Sequence, residues 1–164
     1  SSNKSEEFQS PFVTNLKKVL PDWIDYNGHM NVAYYTLAFD DALDDFLDKI
    51  GIGEDYVTEF QNGPYALQAN YHYLDELMVN EEFRVRIFLV GITEKCFHAA
   101  MEMFNENSGV VSAVCEQITM NVDLTLRKSN KYPDWVREKF DLMIKSQKGK
   151  PLPSQIGKSL ALKS

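Results

Sequence analysis

A single switch of hydrophobic period restricts the fold of this chain more than any other feature. From Asn31 to Ile50 apolar residues recur at steps of three and four, the period of one helical face. That stripe consists of Val32, Tyr35, Phe39, Ala42, Leu43, Phe46 and Ile50. After Gly63 the pattern becomes that of strands, with apolar and charged residues alternating most clearly over Phe83–Leu89. The chain must therefore place one long helix against a run of consecutive strands.

The helix has a broad apolar face, and the rest of its surface is acidic. The acidic positions are Asp40, Asp41, Asp44, Asp45 and Asp48. Gly51 follows where a glycine cap ends a helix. Because the apolar face is so broad, we expect a sheet to wrap around this helix.

Shorter patterns predict the remaining elements. The predicted strands are an extended Phe12–Ile24, with Pro21 marking an edge or a bulge, then Leu67–Leu74, Phe97–Phe104 and Val110–Leu126. A short helix is predicted over Gly53–Gln61, and a last helix opens at Tyr132-Pro133. Strands grouped apart from helices indicate an α+β fold. We expect a curved antiparallel sheet around a long central α-helix, an extra C-terminal helix, and a sheet edge or face free for a second copy.

Length and composition predict one soluble domain. The chain has 164 residues, and we expect a flexible leader over 1–10, a single domain over 11–148 and a loose tail over 149–164. The net charge of −7 disfavours nucleic-acid binding. No apolar run approaches the ~20 residues of a membrane helix, and no secretory signal is visible. Cys96 and Cys115 lack metal or disulfide spacing, which favours buried thiols in a cytoplasmic protein. We expect no metal and no other cofactor.

Asp25–Asn31 is a polar turn that leads into the long helix. One interpretation is purely structural, because Asn27-Gly28 is a common turn pair and Asn31 can cap the helix. The other is catalytic: Asp25 can act as a general base or nucleophile beside His29. Glycine at position 28 lets a substrate approach the backbone, and free N–H groups at the helix start stabilise an oxyanion.

These residues resemble a known family. The string Asp25-x-Asn27-Gly28-His29-Met30-Asn31, with Tyr34/Tyr35 and the helical stripe after it, resembles the hotdog-fold thioesterases of the 4-hydroxybenzoyl-CoA thioesterase type. The likeness covers roughly Phe12–Lys128 and is nearest to the betainyl-CoA thioesterase-like group. It implies a hotdog fold, hydrolysis of a small or medium acyl-CoA, and a homodimer or homotetramer with the active site at the subunit interface.

The resemblance also implies roles for single residues. Asp25 matches the catalytic carboxylate, and Gly28 with its neighbours matches the segment that polarises the thioester carbonyl. His29 and Asn31, also predicted as catalytic, match motif positions whose roles vary between subgroups of the family. The predicted substrate-binding residues are Tyr26, Asn27, Met30, Gln68, Asn70 and Tyr71.

One departure leaves the acyl group open. Related sequences often carry an acidic residue and a histidine where this chain has Gln68 and Asn70. Glu116 is a second acid only if it faces the polar turn of a partner. Two alternatives to the thioesterase remain: a hotdog dehydratase, and a non-catalytic protein that binds acyl-CoA.

Overall fold

The computed structural model describes residues 8–162. Within these residues the fold consists of three α-helices and seven strands, together with a 3-10 turn at Pro21–Trp23. The helices are α1 (Val32–Ile50), α2 (Glu54–Phe60) and α3 (Asp134–Gln147). The strands are β1 (Phe12–Val13), β2 (Lys17–Lys18), β3 (Asn62–Tyr73), β4 (Glu82–Ile92), β5 (Cys96–Asn105), β6 (Val111–Asp123) and β7 (Lys128–Ser129).

All strands join one antiparallel sheet in the order β1-β4-β5-β6-β3. The short β2 pairs with β4, and β7 pairs with β6. Strand β3 thus lies at one edge of the sheet, paired only with β6 among the described residues. The predicted α+β class and hotdog arrangement are confirmed, including the C-terminal helix.

The two faces of the sheet differ sharply. The inner face packs on α1, where Phe39 and Phe46 are buried and the Phe46 ring lies 5.8 Å from that of Phe97. Helix α3 covers the same core, with Phe140 5.5 Å from Phe97. The outer face carries ion pairs such as Arg86–Glu102. This alternation follows from the two-residue period of strands.

Both ends of α1 form as the sequence predicts. The Asn31 side chain accepts a hydrogen bond from the Ala33 N–H at 2.9 Å. Gly51 has φ 93°, a left-handed conformation that suits glycine, and its N–H donates to Leu47 and Asp48. The helix is therefore fixed at the end that meets the polar turn.

Three predicted strand boundaries are wrong. The extended Phe12–Ile24 is two short strands, because Pro21 opens a 3-10 turn. Strand β3 begins at Asn62, since pairing with β6 continues through Asn62-Gly63-Pro64. Strand β6 ends at Asp123, whose carboxylate accepts hydrogen bonds from the N–H groups of Thr125 and Leu126 and turns the chain.

Residues on both sides of the predicted domain 11–148 contact the sheet. Residues 1–7 lie outside the described part, but Phe8 is buried and the Ser10 hydroxyl accepts from the Leu89 N–H at 3.0 Å. On the other side, the Gly157 N–H donates to the Glu116 carboxylate at 3.0 Å. The segment predicted as a loose tail therefore lies on the outer face up to that contact. Within residues 8–162, no helix is long and apolar enough to cross a bilayer.

Candidate active site

Asp25 holds the polar turn together through its own carboxylate. Its Oδ1 accepts hydrogen bonds from the N–H groups of Asn27 at 2.9 Å and His29 at 3.3 Å. Backbone bonds between Asp25 and His29 and from Gly28 to Asp25 close the ring. Asp25 Oδ2 accepts no hydrogen bond from residues 8–162, so it is available to another group. The carboxylate is thus oriented and half-exposed rather than buried.

Gly28 supplies the conformation that the turn needs. Its φ is +78°, and an added Cβ would meet nothing within 4 Å, so the position is open to solvent. Its N–H, however, already donates to the Asp25 carbonyl oxygen at 3.0 Å. In this conformation Gly28 therefore gives shape and access, and its own N–H is not free for a substrate.

The first turn of α1 provides the free donor instead. Asn31 satisfies the Ala33 N–H with its side chain and the Tyr34 N–H with its carbonyl, both at 2.9 Å. Among the described residues, the Val32 N–H has no hydrogen-bond acceptor. A free N–H at a helix start also carries the positive end of the helix dipole. The first turn can therefore stabilise negative charge near Asp25.

The other residues of the turn point in different directions. Tyr26 is almost fully exposed, at 96%. Met30 is only 4% exposed, because its bridge to Ile24 turns it into the core. It therefore contributes packing and not an open contact surface. His29 Nε2 lies 4.0 Å from Glu76 Oε1, so the imidazole faces the loop that follows β3.

Aromatic side chains line α1 beside the turn. The rings of Trp23 and Tyr34 stack at 5.7 Å, and Tyr35 meets Tyr73 edge-on at 5.3 Å. Tyr71 lies on the same inner face, 6.1 Å from the Phe39 ring. This face continues to the free edge of β3.

Burial changes the titration of two polar groups on this inner face. It raises the pKa of the Tyr71 hydroxyl to about 12, and the Tyr71 side chain also hydrogen-bonds to Thr36 and Cys115. It likewise raises the pKa of the Cys115 thiol to about 12. Both groups stay protonated at neutral pH, so neither supplies an anion for catalysis.

Gln68 and Asn70 lie on the other side of the sheet. They are opposite Ile118 and Glu116 on β6, whereas Tyr71 pairs with Cys115 on the inner face. On the outer face Glu116 Oε2 is 2.9 Å from His98 Nε2. Together with Gly157 and Lys158, these side chains line a cavity of about 270 Å³. The structure therefore separates Gln68 and Asn70 from the α1 side of their own chain.

Two features of the site were missed by sequence reasoning. Glu76 is not among the predicted site residues, but it is the acidic neighbour of His29. The resemblance assigns polarisation of the thioester carbonyl to Gly28 and its neighbours, whereas the turn uses the Gly28 N–H internally and leaves the Val32 N–H at the predicted helix start. Since Asp25-x-x-Gly is typical of a closed turn, its spacing could have indicated the internal hydrogen bond.

Comparison with known proteins identifies the family. The model of the thioesterase-like superfamily matches residues 19–140, more than half of the chain. The betainyl-CoA thioesterase of Pseudomonas aeruginosa is 27% identical over 144 residues, which cover 88% of this chain and 91% of that protein. An L-carnitine dehydrogenase/betainyl-CoA thioesterase of Rhizobium meliloti is 28% identical over 163 residues, 99% of this chain and 33% of that protein. The chain thus spans about a third of the second relative.

A solved structure agrees with the fold. A Staphylococcus aureus protein determined in complex with CoA superposes with a TM-score of 0.87 over 95% of this chain and 98% of its own. Its sequence identity is 22%, so this likeness is evidence for the fold alone. The match of the family model is evidence for membership. This chain belongs to the thioesterase-like superfamily.

Proposed function

We propose that this protein is a thioester hydrolase that converts a small or medium acyl-CoA to the free acid and CoA, with Asp25 as its catalytic carboxylate. One observation carries the proposal. The Asp25 side chain is oriented by two backbone N–H groups through Oδ1 and keeps Oδ2 open beside the first turn of α1. A fixed carboxylate next to a free helical N–H is the pair of groups that acyl hydrolysis requires.

The chemistry divides between these two groups. Asp25 either takes a proton from the attacking water or attacks the thioester carbon itself. In both routes the carbonyl oxygen becomes negative, and the Val32 N–H and the helix dipole stabilise it. The carbon–sulfur bond then breaks, and the CoA thiolate leaves and takes up a proton. In the general-base route water supplies the new oxygen atom of the free acid; in the nucleophilic route water hydrolyses the acyl–Asp25 anhydride and regenerates the carboxylate.

The open rim of the turn is the proposed contact surface for the substrate. Tyr26 and His29 are exposed there, and the Asn27 backbone fixes the Asp25 carboxylate beside them. Some relatives are named betainyl-CoA thioesterases, and the betainyl group of that ester carries a quaternary ammonium, which aromatic rings bind well. We include that ester among the substrates to be tested.

A second copy of the chain is the proposed partner, with the site at the interface. Strand β3 is twelve residues long and lies at the sheet edge, with Tyr65 61% exposed. Leu67 and Tyr73 on this strand are also exposed, as are Val32 and Leu37 on α1. A long, apolar, unpaired edge strand is a template for pairing with another strand. Pairing through β3 would place the turn and the inner face of β3 next to the other copy.

The Asp25→Asn variant tests the catalytic proposal. The amide oxygen of asparagine can accept the same two N–H bonds, so we expect the turn to fold as before. Free-thiol release from betainyl-, aromatic and medium-chain acyl-CoAs should fall by about 10²–10⁴-fold. Asp22→Asn, an exposed carboxylate three residues away, is the matched control and should keep full activity. Full turnover by Asp25→Asn would overturn the proposal, and CoA-ester binding without turnover by the unaltered protein would favour the non-catalytic alternative.

A single turnover in ¹⁸O-labelled water separates the two roles of Asp25. If Asp25 attacks the thioester and water then attacks Cγ of the acyl–Asp25 anhydride, the label enters the Asp25 carboxylate, which mass spectrometry of the peptide detects. If Asp25 is a general base, the label enters only the free acid and an acid-quenched turnover yields no acyl–Asp25 peptide.

The oligomer proposal has its own test. A charged residue on an edge strand opposes pairing, so Leu67→Lys should shift the protein to monomers in analytical ultracentrifugation. Leu126→Lys is the control, because Leu126 is equally apolar and exposed but lies on the turn after β6. A monomeric unaltered protein would contradict pairing through β3.

A further inference from the structure

Residues 150–158 cross the outer face of the sheet one strand after another. Lys150 Nζ donates to the Ser10 carbonyl oxygen at 2.8 Å, and the following residues line a cavity with Arg86 of β4 and Glu102 of β5. Gly157 then binds Glu116 of β6. The Lys158 carbonyl oxygen accepts a hydrogen bond from the Asn70 amide of β3 at 3.3 Å. Since the strand order is β4-β5-β6-β3, this segment arrives at the free edge.

We name residues 150–162 the outer arm. Beyond Lys158 the arm has crossed its own sheet, and its two leucines have nothing to pack against: Leu160 is 99% exposed and Leu162 is 102% exposed. Single exposed leucines are common on protein surfaces. Two on one segment, which follows directly after the Lys158 contact with the edge strand β3, point to a surface supplied by another molecule.

The proposed pairing of β3 defines that surface. Antiparallel pairing of β3 with a second β3 over its full length sets Asn70 opposite the partner's Tyr65. Tyr65 is exposed and pairs with Met120, so its ring belongs to the outer face, the face on which the arm runs. Strands lie about 4.8 Å apart, and an extended residue spans about 3.3 Å. The residues from Ser159 to Leu162 therefore reach across the partner's β3.

We propose that the outer arm of each copy crosses to the other copy and packs Leu160 and Leu162 on the partner's Tyr65. The contact is reciprocal, as a two-fold interface requires. The two arms do not collide, because Asn70 and Tyr65 are five residues apart on the same strand, about 16 Å. The inference rests on the proposed pairing through β3, and it adds an interface on the face opposite the Asp25 turn.

Cross-linking between two differently tagged copies tests the arm directly. One copy carries Tyr65→Cys and the other Leu160→Cys, both with Cys96→Ser to remove the half-exposed outer-face thiol. A short bismaleimide should join the two tags into one band. Leu126→Cys in place of Tyr65→Cys is the control and should give no such band. Because each chain has one introduced cysteine, an intrachain cross-link cannot imitate the result.

Sedimentation of the same mixtures distinguishes the two possible failures. A dimer without the Tyr65–Leu160 cross-link would overturn the arm proposal and leave β3 pairing and catalysis intact. A monomer would overturn both the arm and the pairing, while thiol release by the monomer still reports on Asp25. As a second readout, Leu160→Ser with Leu162→Ser should raise the dimer dissociation constant about tenfold to a hundredfold. An unchanged dissociation constant would contradict the proposal.

Discussion

Asp25 and Glu116 are two carboxylates on opposite sides of this molecule, and each is held by hydrogen bonds. Asp25 Oδ1 accepts two backbone N–H bonds in a half-exposed turn, and Oδ2 stays open. Glu116 lies next to His98 and receives the Gly157 N–H on both oxygens at 3.0 and 3.2 Å. Its side chain is only 13% exposed.

The two carboxylates differ in their accessibility to a substrate and in the polar groups around them. Asp25 is half-exposed in a turn that is open at Gly28 and leads into the Val32 N–H, which has no acceptor among residues 8–162, so a developing oxyanion can be stabilised there. Glu116 already has a histidine and a backbone donor as partners, and the outer arm covers it. We therefore propose the Asp25 turn, and not the His98–Glu116 pair, as the active site. The predictions below test that contrast.

The largest effect is expected from removing the helical donor beside Asp25. Val32→Pro deletes the N–H at the first helical position, where proline is well tolerated. Asn31 already has the extended backbone, φ −62° and ψ 141°, that a residue before proline adopts. If the Val32 N–H stabilises the oxyanion, kcat should fall about 10²–10³-fold with the helix intact.

Val32→Ala is the control for that variant. It shortens the same side chain but keeps the N–H, so its kcat should stay close to that of the unaltered protein. Circular dichroism reports whether α1 is retained in both variants. Equal activities of the proline and alanine variants would assign the oxyanion to another donor.

The next effect is a pH dependence of stability that arises from Cys115, which neighbours Glu116 on β6 but lies on the opposite face of the sheet. Cys115 faces α1, and burial raises its pKa from 9.0 to about 12. In the unfolded chain the thiol ionises near pH 9, so the unfolded state gains stability as pH rises above that value. We expect the free energy of unfolding, measured with urea, to fall steadily from pH 9 toward pH 12. Tyr71 adds to the decline above pH 10, since its pKa is also raised to about 12.

Two variants identify the thiol that causes this decline in the free energy of unfolding. Cys115→Ser removes the titrating thiol and should flatten the decline between pH 9 and 10. Cys96→Ser removes the half-exposed thiol and should leave it as steep as before. A decline of unchanged slope in Cys115→Ser would show that the inner face is wetter than its burial indicates.

A smaller effect is expected on the outer face, and on stability rather than rate. Glu116→Gln keeps the shape of the side chain but weakens its bonds to His98 and Gly157. Hydrogen bonds to a charged group are stronger than neutral ones, so we expect a loss of about 1–2 kcal/mol in chemical denaturation. The kcat for acyl-CoA should change less than about threefold. A fall in kcat like that of Asp25→Asn would break the contrast between the two carboxylates.

Sequence reasoning predicted the parts of this fold that repeat with a period. The stripe from Val32 to Ile50 predicted α1, because one helix face is buried from Tyr35 to Ile50; Val32 itself is exposed. It failed where tertiary pairing decides the outcome. Asn62-Gly63-Pro64 has turn composition, yet it pairs with β6 as the start of β3. The sheet face of Gln68 also depends on a register shift between Ala66 and Gln68, which no pattern of residue types reveals.

The same limit explains which contacts of the candidate site could be predicted from the sequence. Asp25, Gly28 and Asn31 are close in sequence, so their proximity follows from the turn itself. Glu76 meets His29 only because the loop after β3 returns to the start of α1. Gly157 of the outer arm contacts Glu116 only because the assembled sheet places β6 in its path. Predicting contacts between distant segments requires the strand order of the assembled sheet, and no local sequence motif reveals that order.

The smallest effect separates two roles of Asn31, which ends the same turn that begins with Asp25. Its side chain caps the Ala33 N–H, and loss of such a cap costs about 1 kcal/mol. Asn31→Ala should therefore lower the free energy of unfolding by about that amount in urea denaturation. Asn31→Ser restores a capping oxygen and should recover both stability and kcat if capping is the whole role. If stability recovers with serine but kcat does not, the Asn31 amide also touches the substrate, and the chemistry beside Asp25 extends to the far end of the turn.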